Sequence, residues 1–225
     1  MAGLAMTKVK FCGLTRMEDI RIVNDLKPDY IGFVFFPKSR RNVDKEKAME
    51  LGQTLDPNIK AVGVFVDEKP EKIADLVKDN VIDIVQLHGS EDEEYIRKLR
   101  SLTDARIIKA FQIKNSFDSQ SKETTQTDSD QIPEEINRQI SAINNSSADM
   151  VLIDSGQGTG TAFNWQILKQ ITRPYFLAGG INLDNINEAV NDIKPYAVDV
   201  SSGIETDGIK DESKMRMIIG AVKDE

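Results

Sequence analysis

Eight short runs rich in β-branched and aromatic residues recur along the chain: KVKFC, YIGFVF, AVGVFV, IVQLH, RIIKAF, MVLID, YFLAG and AVDVSS. They begin at 8, 30, 61, 84, 106, 150, 175 and 197, leaving 22, 31, 23, 22, 44, 25 and 22 residues from each start to the next. Each run has the length of a strand, and each interval has room for one helix. Helical signals fill the gaps: MEDIRIVNDL, DKEKAMELGQTL, PEKIADLVKDN with Pro70 at a first helical position, EDEEYIRKLR and NLDNINEAVND, several with acidic residues at the start, where the helix dipole favours them. Near-continuous apolar strands alternating with helices predict a parallel sheet buried on both faces, and eight such units are what a closed barrel needs. The expected fold is therefore a (β/α)8 TIM barrel formed by one domain, residues 1–225. An open doubly wound sheet is the competitor, but KFCGLT lacks the G-x-G-x-x-G turn expected after a first dinucleotide-binding strand.

Composition narrows the function. The 225 residues, 40% hydrophobic, suffice for one sizeable core, and no apolar run approaches the roughly 20 residues a membrane crossing needs. The start, MAGLAMTKVKF, lacks the charged-then-apolar order of a signal peptide, so a cytoplasmic protein is expected. An excess of 37 acidic over 29 basic residues, a net charge of -8, argues against nucleic acid or an anionic membrane as partner. Any anionic ligand must be caught by a local pocket. The single cysteine, Cys12, allows neither an internal disulfide nor a CxxC zinc site. Residues 114–131, KNSFDSQSKETTQTDSDQ, contain one apolar side chain and read as a mobile polar loop after the fifth strand, a surface insertion or, more sharply, a lid.

Catalytic groups of such barrels come from the C-terminal ends of strands and the loops behind them. There the chain places Cys12 after strand 1, Arg41 after strand 2, Asp67 after strand 3, His88 after strand 4 and Asp154 after strand 6. The loops after strands 6, 7 and 8, SGQGTGTAF, AGGINLDN and SSGIETDGIKD, are rich in Gly, Ser and Thr. Glycines let backbone N–H groups approach an anion, so the turns carrying Gly179, Gly180, Ser201, Ser202 and Gly203 form a candidate phosphate cradle. Tight strand-to-helix turns without a ligand are the plain alternative. By residue type a lone cysteine is more often a small buried hydrophobe than a catalyst, and Asp154 could simply cap a helix.

These segments together resemble phosphoribosylanthranilate isomerase of tryptophan biosynthesis. KFCGLT is similar to the family's K-x-C-G-x-T opening, and GFVFFPKSRR, VGVFVDE, VQLHG, LID with GTGTAFNW, AGGIN, and DVSSGIE with KD follow in the family's order over nearly the whole chain. The resemblance implies the barrel fold and a cofactor-free Amadori rearrangement of N-(5-phosphoribosyl)anthranilate to the carboxyphenylamino-deoxyribulose phosphate. It implies that Asp154 protonates the ribose ring oxygen, that Cys12 as thiolate removes the C2′ proton, and that Arg41 holds the anthranilate carboxylate. Gly158, Thr159 and Gly160 would cover the ribose side, while Lys38 and Arg40 are read as solvated.

These roles set opposite demands. A free thiol is largely protonated at neutral pH, so Cys12 needs nearby positive charge or dipoles, whereas an acid at Asp154 needs a raised pKa. For His88 a structural contact is expected, and Asp67 and Asp199 are read as supporting or packing residues. The chain departs from the family pattern at GQGTG, where a glycine pair is common, and at Asn164, where aspartate is common. An epimerase-like phosphate barrel would want several metal-binding histidines and this chain has one; a synthase-like barrel would want a lysine where Cys12 stands. A phosphate-binding module without chemistry also remains open, as does the choice between monomer and homodimer.

Overall fold

The computed structural model describes residues 6–113, 134–156 and 165–223. Its centre is a closed barrel of eight parallel strands in chain order: β1 (Lys8–Cys12), β2 (Tyr30–Phe35), β3 (Lys60–Phe65), β4 (Ile84–Leu87), β5 (Arg106–Gln112), β6 (Met150–Asp154), β7 (Tyr175–Ala178) and β8 (Ala197–Val200). The open-sheet alternative is thereby excluded. The strands start where the apolar runs place them, except that β3 opens one residue earlier. Closure is made by β8 pairing with β1, with Lys8 beside Ala197 and Lys10 beside Asp199.

The outer layer holds α1 (Met17–Leu26), α2 (Lys45–Gly52), α3 (Pro70–Lys78), α4 (Glu93–Arg100), α5 (Glu134–Asn145) and, near the end, α7 (Glu212–Lys223). Each presents an apolar stripe to the barrel, such as Ile136, Ile140 and Ile143 on α5 or Met215, Ile218 and Val222 on α7. Asp44 and Asp92 accept the N–H of Lys47 and Tyr95, capping α2 and α4, and Pro70 opens α3 as expected. Among the described residues, two intervals hold something other than a regular α-helix. A 3-10 segment, Trp165–Gln170, lies between β6 and β7. Between β7 and β8 the chain forms only a single α turn, α6 (Ile186–Glu188), that widens into a π turn at Ala189–Ile193 and ends at Lys194 in the left-handed region, φ 54. After β8 a 3-10 turn (Ser202–Ile204) and a two-stranded hairpin, β9 (Glu205–Thr206) with β10 (Ile209–Lys210), precede α7.

Strand alternation sorts the core into two regions. Side chains such as Val9, Phe11, Ile31 and Phe33 fill the space between barrel and helices. Tyr30, Val62, Ile84, Ile108, Leu152, Phe176 and Ala197 fill the barrel interior. Toward its N-terminal end Phe176 meets Tyr30 and Tyr196 edge-on, at 5.3 and 5.6 Å between centroids, and the two tyrosine hydroxyls hydrogen-bond at 2.9 Å. Among the described residues no helix is long and apolar enough to cross a membrane. The expected polar loop at 114–131, and Gly158, Thr159, Gly160 and Asn164, lie outside the described residues.

Candidate active site

Above the apolar filling, a cavity of about 270 Å³ opens at the C-terminal ends of the strands. Cys12, Arg41, Gln86, His88, Asp154, Gly179, Gly180, Asp199, Ser201 and Ser202 are among the residues that line it. The fold thus brings the expected proton carriers, the arginine and most of the expected phosphate residues to one place. Gly203 is pressed against the carbonyl of Ile181, which an added Cβ would approach to 2.0 Å, so it knits the turns after β7 and β8 together. Asp67 instead accepts hydrogen bonds from the N–H and hydroxyl of Ser90 and organises the loops after β3 and β4.

Cys12 is the last residue of β1 and faces inward. The neighbouring position on β2 is Gly32, where a Cβ would stand 2.7 Å from the Cys12 sulfur. Only a residue without a side chain leaves the thiol its present seat. Directly below, the ammonium of Lys10, fully buried, bonds both carboxylate oxygens of Asp199 at 3.0 and 2.9 Å. Burial pushes the Cys12 thiol up from its ordinary pKa; Lys10 is the main influence pulling it back, Lys210 adds to that pull, and Asp199 opposes it.

Asp154 closes β6. Its Oδ1 accepts the Gly156 N–H at 2.9 Å, and its Oδ2 lies 3.3 Å from His88 Nε2. Gln86 reaches the other ring nitrogen, its Nε2 standing 2.9 Å from His88 Nδ1; an amide N–H donated there leaves His88 to donate from Nε2 to Asp154. The His88 hydrogen bond, against the opposing effect of burial and with help from Gly156, holds the Asp154 carboxyl below the usual carboxylate range. The cavity therefore carries an ionised Asp154, whereas an acid there needs a raised pKa. Gly179, in the left-handed region at φ 89, brings the turn after β7 against this carboxylate: a Cβ there would meet Asp154 Oδ1 at 2.5 Å.

Arg41 lines the cavity, but its fork is engaged. Nε and Nη2 donate to Glu205 Oε1 and Oε2 at 2.6 and 2.8 Å. Arg40, expected to be solvated, is 61% exposed yet also donates to Glu205 Oε2 at 2.6 Å. Buried Lys210 completes the cluster, donating to Glu205 Oε1 at 2.8 Å and to the Ser201 carbonyl at 3.0 Å. Ser201 in turn donates its hydroxyl to the Cys12 carbonyl at 3.0 Å. Three cations around one carboxylate leave a locally positive rim on an otherwise acidic chain. Sequence reasoning did not single out Lys10, Gln86, Glu205 or Lys210 as site residues. The available signals were Lys10 and Gln86, polar side chains at inward positions of β1 and β4.

Comparison with known proteins agrees with this geometry. The family model described as N-(5′-phosphoribosyl)anthranilate (PRA) isomerase matches residues 9–133 and 131–221. The N-(5′-phosphoribosyl)anthranilate isomerase of Clostridium acetobutylicum is 41% identical over 227 residues, covering 97% of this chain and 98% of the relative. The structure of the phosphoribosylanthranilate isomerase of Thermotoga maritima superposes with a TM-score of 0.79 at 32% identity, covering 98% of this chain and 100% of that one. A phosphoribosylanthranilate isomerase structure in complex with reduced 1-(o-carboxyphenylamino)-1-deoxyribulose 5-phosphate matches with a TM-score of 0.77 at 32% identity and the same coverage. On the family match over most of its length and on these relatives, the chain belongs to the N-(5′-phosphoribosyl)anthranilate isomerase family.

Proposed function

We propose that the chain converts N-(5-phosphoribosyl)anthranilate into 1-(2-carboxyphenylamino)-1-deoxyribulose 5-phosphate, a step of tryptophan biosynthesis, with Asp154 as general acid and Cys12 as general base. The observation that carries this reading is the meeting of Cys12, Asp154, Arg41 and the paired turns Gly179–Gly180 and Ser201–Ser202 around one cavity. Those turns take the phosphate at one end of the substrate. Arg41 takes the anthranilate carboxylate at the other, sharing its donors with Glu205.

The resting charges stand opposite to the chemistry, with Asp154 ionised and the Cys12 thiol raised. Substrate reverses the first: its phosphate and carboxylate are negative and it displaces water, and both effects favour a proton on Asp154. That proton goes to the ring oxygen as the C1′–O bond breaks, and the nitrogen lone pair forms a cationic Schiff base. The new cation sits one bond from C2′, where it acidifies the C2′ proton and gives a thiolate a positive neighbour. Cys12 removes that proton, and the electron pair forms the C1′=C2′ bond of an enolamine. Protonation at C1′ with loss of the 2′-hydroxyl proton yields the ketone, so protons balance over the cycle.

Every group named lies in one chain, so monomer and homodimer are equally able to work, and the lone free thiol suits a reducing cytoplasm. The test is the decay of substrate fluorescence on adding wild-type protein, beside folded Cys12→Ala and Asp154→Ala variants. Rapid decay with wild type and almost none with either variant is expected. A folded wild-type protein without turnover would leave a phosphate-binding module.

A further inference from the structure

We propose that Lys10 is the positioning residue that enables Cys12 to ionise, its buried ammonium moving from Asp199 toward the Cys12 sulfur as the thiol loses its proton. The idea deepens the reading above and rests on it only for the use made of the thiolate. Lys10 and Cys12 stand two residues apart on β1, so their side chains share the inner face of the barrel one pleat apart. Lys10 is 0% exposed, and its ammonium is held by the two Asp199 oxygens, with the Cys12 sulfur on the next inward side chain up the strand and Cys12 and Asp199 lining the same cavity. An ammonium has three N–H donors, enough for both partners at once.

Packing does not account for this pair. Immediately below it the barrel is filled by apolar side chains such as Tyr30, Ile84 and Phe176. Taking two charges out of water offsets much of their attraction, so an apolar pair of similar volume would fill the space as well or better. The sulfur is the neighbour that gains from a cation at this depth. The other charged groups facing Cys12 are accounted for. Asp199 on β8 opposes ionisation; Lys210 on β10 favours it but is tied to Glu205 and the Ser201 carbonyl; Arg41, beyond β2, favours it but is tied to Glu205; Asp154 and His88 face the thiol from across the cavity.

Because Cys12 is the only cysteine, the pH dependence of alkylation by iodoacetamide titrates this thiol alone in the full chain. In the charge-free double variant Lys10→Met/Asp199→Asn the alkylation midpoint is expected to rise by about one unit or more, with kcat/KM at pH 7 falling about tenfold and recovering at higher pH. Asp199→Asn alone should move the midpoint down, since the ammonium is then left to the thiolate, and it keeps the proposal testable if the double variant does not fold. Midpoints within about 0.3 unit of wild type in the folded variants would overturn it. The midpoint belongs to the thiol whatever the reaction, so failure of the isomerase roles shows in Cys12→Ala turnover, and failure of this proposal shows in the midpoint.

Discussion

Replacing Glu205 by glutamine should change how the protein responds to acid. The Glu205 side chain is 4% exposed and receives hydrogen bonds from Arg40, Arg41 and Lys210, all at 2.6 to 2.8 Å. Burial alone would raise its pKa, but Arg41 and Lys210 outweigh that and bring the carboxyl from 4.5 to about 2. A carboxyl lowered on folding contributes its full stability above the unfolded value and loses it as pH falls through the folded one. A depression of roughly 2.5 units is worth roughly 3 kcal/mol at about 1.4 kcal/mol per unit. By the same linkage about 2 kcal/mol of it is gone by pH 3. The largely exposed Arg40 adds little. Urea unfolding from pH 7 to pH 3 should therefore show wild type losing about 2 kcal/mol more than Glu205→Gln. The variant should start lower at pH 7, because buried Lys210 is left without its carboxylate. Parallel curves for the two proteins would refute the claim that this cluster stores acid-labile stability.

Gly32→Ala would put a Cβ 2.7 Å from the Cys12 sulfur, against an ordinary contact of 3.4 Å or more, so the thiol must shift by roughly 0.7 Å. A loss of roughly tenfold to a hundredfold in kcat/KM is expected with about 1–3 kcal/mol of stability, and undiminished turnover would show that the thiol's seat is not critical. Arg41→Ala should weaken binding of anthranilate-bearing ligands, measured by titration with the reduced product analogue, and unaltered affinity would contradict its proposed role.

The barrel was legible because parallel strands covered on both faces carry dense apolar runs, and the starts of all but β3 were read to the residue. The segment NLDNINEAVND misled because its composition suits a full helix. In the fold the Asn182 and Asn185 side chains bind nearby backbone, Asn182 Nδ2 and Asn185 Nδ2 both donating to the Gly180 carbonyl, and only one α turn forms before the π turn. That Cys12, Asp154, Arg41 and the Gly- and Ser-rich turns after β7 and β8 meet at one cavity was legible because strand ends share one face of the barrel. Lys10, Glu205, Gln86 and Lys210 were not singled out, because their meaning lies in partners brought together by barrel closure: Lys10 meets Asp199 across 189 residues and Arg41 meets Glu205 across 164. The charge states were equally hidden, since Asp154 is held ionised by a histidine two strands away in the barrel.

The seam where β8 joins β1 makes the site a product of two segments far apart in sequence. On the ribosome Cys12 emerges well before Asp199, Ser201, Glu205 and Lys210, which follow it by 187 residues or more. Until β8 and the segment behind it are made, the thiol lacks Asp199, Ser201 and Lys210 and the closed wall that shelters it, and stands open to oxidants. Sealing the seam converts it into a protected group in one step. A circular permutant opened between α2 and β3 would make the seam residues near neighbours in sequence, with Cys12 emerging after Asp199, and would shorten that exposed interval.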